Sequence, residues 1–416
     1  MIFNLPEHDL TTQGLELLRP AWAHVDLDAL TRNLARLKDA VGSAQIAAVV
    51  KADAYGHGAV HTARALERAG VDLLAVALPE EGAQLRRAGT RTPILVLGAH
   101  LPPQIPLFIE FDLMPTISTR SQLAAWCSRT GATGAREATR AQAFHLKVDT
   151  GMRRLGFSID ELPAVLDQIR RAKSLELAGV LSHFAASNEP QAQINVVQEK
   201  EWRAIEELLT AQEQDHVVRH IANSAAALHR PWSCLDMVRI GLALYGVDPV
   251  GVAGLGDSAD PANHSGALEA VMSVKARIVA VRQVAAGEGV GYGHRWRAQR
   301  DSRVGLLPLG YADGYSWRLG SRAQALAGGH RVEVIGNISM DMTAIDLTDS
   351  EQVEGDEVTL LGGSGNMSIS AFELAEWAGT IPYEILASFG LRLPRVYVRD
   401  GREVAVSGRL VADAQG

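Results

Sequence analysis

Residues 45–70 read QIAAVVKADAYGHGAVHTARALERAG, and this stretch holds one complete structural unit. Ile46–Val50 is an unbroken apolar run, as expected of a strand buried on both faces of a parallel sheet. Lys51 ends the run and a glycine-bearing turn follows. Gly58–Gly70 then has helical spacing, with Ala59, Ala63, Ala65 and Leu66 apolar and Gly70 as the stop. The alternation continues to about Gly246. Further runs lie at Leu73–Ala77, Ile94–Leu97, Leu113–Ile117, Phe144–Val148, Leu177–Ser182, Val217–Ile221 and Met237–Leu244. Eight strand–helix alternations place the chain in the α/β class and predict a (β/α)8 barrel of the TIM type. A doubly wound sheet is the rival that periodicity alone does not exclude.

On either side of these units the pattern changes. Trp22–Leu27 is a ninth strand-like run, followed by a helix with Leu30, Leu34, Leu37 and Val41 on one face. It is surplus to a closed barrel and is assigned to a second domain. Pro249–Gly266, PVGVAGLGDSADPANHSG, reads as a linker. Beyond it, Ala276–Val284, Val304–Leu309, Arg331–Ile335, Met342–Leu347 and Glu357–Leu361 are strand-like runs between glycine-containing turns, and Ser370–Ala378 is helix-like. The expectation is a barrel within residues 1–262 followed by a mainly antiparallel β domain within 263–416.

Composition excludes several classes. Hydrophobic residues make up 47% of the 416 and charged residues 21%, which supports large cores and rules out a disordered chain. The net charge of −8 gives no general attraction to nucleic acid or anionic membranes. Cys127 and Cys234 are the two cysteines, which provides neither a disulfide framework nor a zinc spacing, so no metal is expected. Met1–Leu10 lacks the pattern of a secretory signal, and no apolar stretch approaches the roughly 18 residues of a membrane span. A soluble cytoplasmic protein is expected.

The chemistry centres on Val49–Gly58, VVKADAYGHG. A lysine at the end of a buried strand loses hydration, which lowers its pKa and frees the amine to attack a carbonyl. Barrel active sites form at these strand ends. Read by residue type alone, Lys51 is equally a rim lysine and Tyr55 a core aromatic. Asn223-Ser224-Ala225 and Arg239-Ile240-Gly241-Leu242 fall after the seventh and at the eighth strand, where barrels commonly bind phosphate. Asn-Ser-Ala is also an ordinary helix start. Gly287, Gly289, Gly291 and Gly293 do not spell a dinucleotide-binding fingerprint.

These segments in this order resemble the alanine racemases, from about Trp22 to Val398. The resemblance implies pyridoxal 5'-phosphate on Lys51, with Tyr55, Ser224, Gly241, Leu242 and Tyr383 around its phosphate. It places Arg239 at the pyridine nitrogen and His183 near the ring. An arginine there keeps that nitrogen unprotonated and the ring a weak electron sink, favouring proton return over decarboxylation. In HLKVDTGMRRLGF (145–157), Arg154 matches the arginine that contacts cofactor and substrate carboxylate, and Lys147 one that is carbamylated in some members. Tyr292 in VGYGHRWRA matches the second catalytic base, Met340 a backbone donor to the substrate carboxylate, and Tyr311 and Asp341 entrance positions. By the same resemblance Tyr292, Tyr311, Met340 and Asp341 serve the other chain of a homodimer.

The implied reaction interconverts L- and D-alanine by two-base proton transfer on an external aldimine, supplying D-alanine for peptidoglycan or allowing its catabolism. Lys51 would work on the D side and Tyr292 on the L side. A phenol is a poor base at neutral pH, so Tyr292 should need help, for which Arg239 acting through His183 is the candidate. Asn337, Trp317 and Ser339 depart from common family residues along the access corridor. The rivals are a barrel-type basic amino-acid decarboxylase, which should carry an acid in place of Arg239, and a non-catalytic cofactor-binding barrel, which lacks a β domain.

Overall fold

In the computed structural model, which describes residues 19–128, 141–172, 175–252 and 268–408, each of the eight apolar runs forms a strand of one parallel sheet. These are β2 (Gln45–Val49), β3 (Leu73–Val76), β4 (Ile94–Val96), β5 (Met114–Ile117), β6 (Gln142–Lys147), β7 (Leu175–Leu181), β8 (Val218–His220) and β9 (Met237–Ile240). Neighbours follow chain order from β2 to β8, and β9 returns to pair with β2. The circle closes between β8 and β9 through one bridge, Asn223 to Arg239. This near-closure decides for the barrel over the doubly wound sheet.

The ninth run is β1 (Ala21–Asp26), and it is not a barrel strand. It lies antiparallel to β10 (Met272–Arg277) and parallel to β20 (Arg395–Arg399). Asp26 then caps α1 (Leu27–Val41), accepting N–H bonds from Asp28 and Ala29 at 2.9 Å each. Leu30, Leu34 and Leu37 of α1 are buried, each contributing about 1.5–3 kcal/mol.

The second sheet has 11 strands among the described residues. The others are β11 (Ala280–Val284), β14 (Ser302–Leu307), β15 (Gln324–Ala327), β16 (His330–Ile335), β17 (Thr343–Asp346), β18 (Glu357–Ser364), β19 (Met367–Ile369) and β21 (Arg402–Ser407). A separate hairpin pairs β12 (Gly289–Val290) with β13 (Trp296–Arg297). Except for the β1–β20 pair, every pairing in the large sheet is antiparallel. Ala276–Val284 proves to be two strands, because Ile278 still bonds to Asp356 whereas Val279 already bonds to Leu306 on β14. Ser370 caps the expected helix, Ala371–Ala378. Met1–Leu10, most of the linker and the boundary near residue 262 lie outside the described residues.

Directly after β2 the backbone winds the wrong way. Ala52, Asp53, Ala54 and Tyr55 have φ of 52°, 53°, 54° and 53°, so Tyr55 follows Lys51 by a left-handed turn rather than the right-handed one its spacing suggests. L-residues resist this by roughly 1–2 kcal/mol each. The opposing bonds are numerous. Ala52 N–H donates to Glu81 Oε1 at 2.6 Å, and Ala59 N–H to Asp53 Oδ1 at 2.7 Å. His57 Nδ1 lies 2.9 and 3.0 Å from the Ala54 and Tyr55 carbonyls. From β20, the buried Arg395 donates twice to Gly56 O, at 3.0 and 2.9 Å. At Gly56 a Cβ would fall 2.2 Å from Leu386 O, so this turn and the segment after Tyr383 are in close contact.

Candidate active site

Lys51 and Arg239 stand on adjacent strand ends, since Arg239 is in register with Ala47 of β2. Arg239 is buried, and burial draws its pKa down to about 10, still cationic at neutral pH. Its acceptors are all neutral. Nη1 donates to His220 Nδ1 at 2.8 Å and His220 O at 3.0 Å; Nη2 donates to Ser182 O at 2.6 Å, Ile221 O at 3.0 Å and His183 Nδ1 at 3.2 Å. A guanidinium can only donate. Both imidazoles must therefore carry their proton on Nε2. His220 Nε2–H then donates to His145 Nδ1 at 2.7 Å, which sets the third tautomer as well.

Around this point positive charge converges. Burial lowers the Lys51 pKa, aided by Arg154 and Arg239 and opposed by Glu81. Burial lowers Lys147 to about 8, with Arg239, Arg154 and Lys51 adding and Asp149 opposing. Burial and the same four cations hold His183 well below the ordinary histidine value. Neither the Lys51 nor the Arg154 side chain makes a hydrogen bond or ion pair among the described residues, and Arg154 is exposed. Such a cluster of cations suits an anionic ligand.

One rim has the form of a phosphate cradle. Ser224 begins a helix capped by Asn223, whose side chain accepts Ala226 N–H at 3.1 Å. Ser224 Oγ accepts Gly241 N–H at 2.9 Å and Ala243 N–H at 3.4 Å, the latter one residue after Leu242. A Cβ at Gly241 would lie 2.5 Å from the Tyr55 hydroxyl. The Tyr55 ring is 5.1 Å from Tyr245 and 6.2 Å from Tyr383. Burial raises the Tyr55 pKa and pushes Tyr383 up to about 12, so both stay neutral hydroxyl donors. Small backbone, serine and tyrosine donors beside a depressed lysine fit pyridoxal phosphate.

Among the described residues, Tyr292, Tyr311, Met340 and Asp341 of the second domain are not joined to this group by any hydrogen bond, ion pair or ring contact, unlike Tyr383. Tyr292 is 74% exposed, Met340 52% and Tyr311 44%, and Asp341 pairs with Arg392. Asn337 donates to Tyr292 O at 2.9 Å, which gives that departure from the family a local role. Tyr311 and Met340 are neighbours through backbone bonds.

The sequence reading missed His220, His145, Tyr245 and Arg395. A lone histidine in a strand gives no signal beyond a core residue. Tyr245, whose hydroxyl donates to Val49 O at 2.9 Å, directly follows the Met237–Leu244 run and carries no signal of its own.

The chain's relatives bear on this site. Family models described as the N-terminal and C-terminal domains of alanine racemase match residues 25–249 and 271–397. An alanine racemase from Halothermothrix orenii is 38% identical over 92% of this chain and 97% of its own. One from Sorangium cellulosum is 40% identical over 91% and 99%. Among solved structures, alanine racemase from Bacillus anthracis with bound L-Ala-P superposes with a TM-score of 0.85 at 33% identity, over 95% of this chain and 99% of that one. Alanine racemase from Bartonella henselae with covalently bound pyridoxal phosphate gives 0.78 at 29% identity, over 92% and 100%. With both parts of the chain matched in order and nearly the whole of these relatives spanned, this protein belongs to the alanine racemase family.

Proposed function

We propose that the protein interconverts L- and D-alanine, with pyridoxal 5'-phosphate held on Lys51 and the second base supplied across a homodimer. The observation that carries this reading is the gathering of Lys51, Lys147, Arg154 and Arg239 at one barrel mouth, where burial and mutual repulsion lower both lysines. When bound, the cofactor would make the α-hydrogen of an attached amino acid acidic.

The chain's own groups would do the rest. Lys51 has a free amine more often than an ordinary lysine, so it can hold the cofactor aldehyde and then carry a proton at one face of the α-carbon. Ser224, Gly241, Leu242, Tyr55 and Tyr383 would anchor the phosphate. Arg154 and the Met340 N–H would orient the substrate carboxylate. Arg239 would keep a positive charge opposite the ring nitrogen, and its all-neutral acceptors leave that charge undiminished. His183, protonated on Nε2, would be the donor that steadies Tyr292 as the base on the other face. Exposed Tyr292, Tyr311, Trp317, Met340 and Met342 would be covered by the partner subunit. The D-alanine would serve wall peptidoglycan or be degraded, in the cytoplasm.

The test reduces the holoprotein with borohydride, maps the pyridoxyl label, and assays D-alanine made from L-alanine. The label is expected on Lys51. In Tyr292→Phe, α-deuterium exchange into L-alanine should fall selectively. Label on another lysine, or unchanged exchange in that variant, refutes the assignment.

A further inference from the structure

Asp313 is a carboxylate with no solvent exposure, and one of its partners lies 294 residues away. Arg19 holds both its oxygens, Nη1 on Oδ1 and Nη2 on Oδ2 at 2.7 Å, and Nη2 also donates to Pro308 O. Gly310 N–H donates to Oδ2 at 3.0 Å. Arg392 Nε lies 3.4 Å from Oδ1, while its Nη2 donates to Asp341. Four charges thus alternate in sign: Arg19, Asp313, Arg392, Asp341. Arg19 is itself fixed at the head of β1, where Ala21 N–H donates to Arg19 O at 2.7 Å and Arg277 N–H to Pro20 O at 2.8 Å.

This row of charges ties together the segments that carry Tyr311 and Met340. Tyr311 N–H donates to Ser339 O and Ala312 N–H to Met340 O, both at 3.1 Å. A Cβ at Gly310 would fall 2.2 Å from Ser339 O, so the two segments are in direct backbone contact and shift as one. Gly390 N–H donates to Asp313 O at 3.3 Å, which adds the segment after Tyr383. A carboxylate removed from water demands its counter-charges in place, and the two-pronged guanidinium contact fixes angle as well as distance.

We propose that Arg19 is a positioning residue for alanine: through Asp313 it holds the Tyr311 and Met340–Asp341 segments where they meet substrate. This rests on the reading above, in which those segments complete a site on the second subunit. Arg19 precedes the matched N-terminal family domain, which starts at residue 25. The dependence therefore runs from the head of β1, through the β domain, to the partner's barrel.

The experiment uses full-length holoenzyme carrying Arg19→Ala or Arg19→Lys, assayed from both enantiomers while the bound-cofactor absorbance is recorded. KM should rise on the order of tenfold in Arg19→Ala, with kcat within about threefold and the absorbance unchanged. Lysine restores charge without the fork, so it should recover part of the loss. If Arg19→Ala does not fold, Arg19→Lys decides alone. A native KM in the variant that folds overturns the proposal, and so does a joint fall of kcat and cofactor absorbance. Tyr311→Ala separates the two readings. Native KM there removes the reading on which this one rests; raised KM there beside native KM in the Arg19 variants removes only this proposal.

Discussion

Arg239 Nη1 donates to His220 Nδ1 at 2.8 Å, and His220 passes a hydrogen bond on to His145 at 2.7 Å. Because the guanidinium can only donate, the direction of this row is fixed from one end. Burial and the Arg239 charge hold His220 well below the ordinary histidine value, and draw His145 down to about 3. The row therefore supplies neutral acceptors to a buried cation at every working pH.

Replacing His220 with Phe removes one acceptor from Arg239, and the donor to His145 with it, and keeps the ring volume. A hydrogen bond to a charged group contributes about 1.5–3 kcal/mol, and urea unfolding should register a loss of that size. His220→Gln, which can still accept, should lose less. Equal losses in the two variants would mean that ring packing, and not the acceptor, is what His220 provides.

Gly241→Ala would push a methyl to 2.5 Å from the Tyr55 hydroxyl. Tyr55 has little room to yield, with the tilted rings of Tyr245 and Tyr383 packed around it. Overpacking of this kind costs about 1–3 kcal/mol, so the cofactor Kd should rise by about tenfold to a hundredfold. Fluorescence titration of the apoprotein with pyridoxal phosphate measures it. An unchanged Kd would show that the cofactor does not depend on this corner.

Ala52→Gly should stabilise the protein, against the usual direction for such a change. Ala52 is exposed with φ of 52°, so glycine relieves backbone strain and forfeits no packing. Subtracting glycine's extra entropy from the left-handed penalty leaves a gain of about 0.5–1 kcal/mol. Thermal or urea unfolding decides, and a loss of stability would argue that the turn is not left-handed in solution.

Acid should unfold the protein through its buried histidines. Burial lowers His57 and His100 to about 4 and His145 to about 3, and lowers His183 and His220 well below 6.5. Each is a base with a depressed folded pKa, so the unfolded chain binds more protons once the pH drops below about 6.5. Stability should be level in this respect above pH 7 and decline steeply between about 6.5 and 4. Urea midpoints across that range provide the measurement; a midpoint constant from pH 7 to 5 would contradict it.

How much of this was legible depends on how local each cause is. Strand burial is written into consecutive residues, so Ile46–Val50 and its seven counterparts could be read directly, whereas the choice of a barrel over a doubly wound sheet was settled by the pairing of β9 with β2. Lys51, Tyr55 and Arg239 were legible through the resemblance of their stretches to a known family, since by residue type alone Lys51 reads equally as a rim lysine and Tyr55 as a core aromatic. The strand β15, QALA, was not, since two alanines with one leucine and one glutamine carry no alternation strong enough to declare a pairing. Nor was the break at Ile278, where the chain changes partner strands without changing its apolar character.

The chain by itself determined where its buried strands lie and which side chains reach their ends, because hydrophobic patterning acts between near neighbours. Tertiary structure alone decided the hand of the turn at Ala52–Tyr55, held against its own preference by Glu81 and Arg395. It alone paired His220 with Arg239 and His145, and carried Arg19 to Asp313. In each case the deciding partner is distant in sequence, and the stabilising contact exists only once burial has removed water as the alternative.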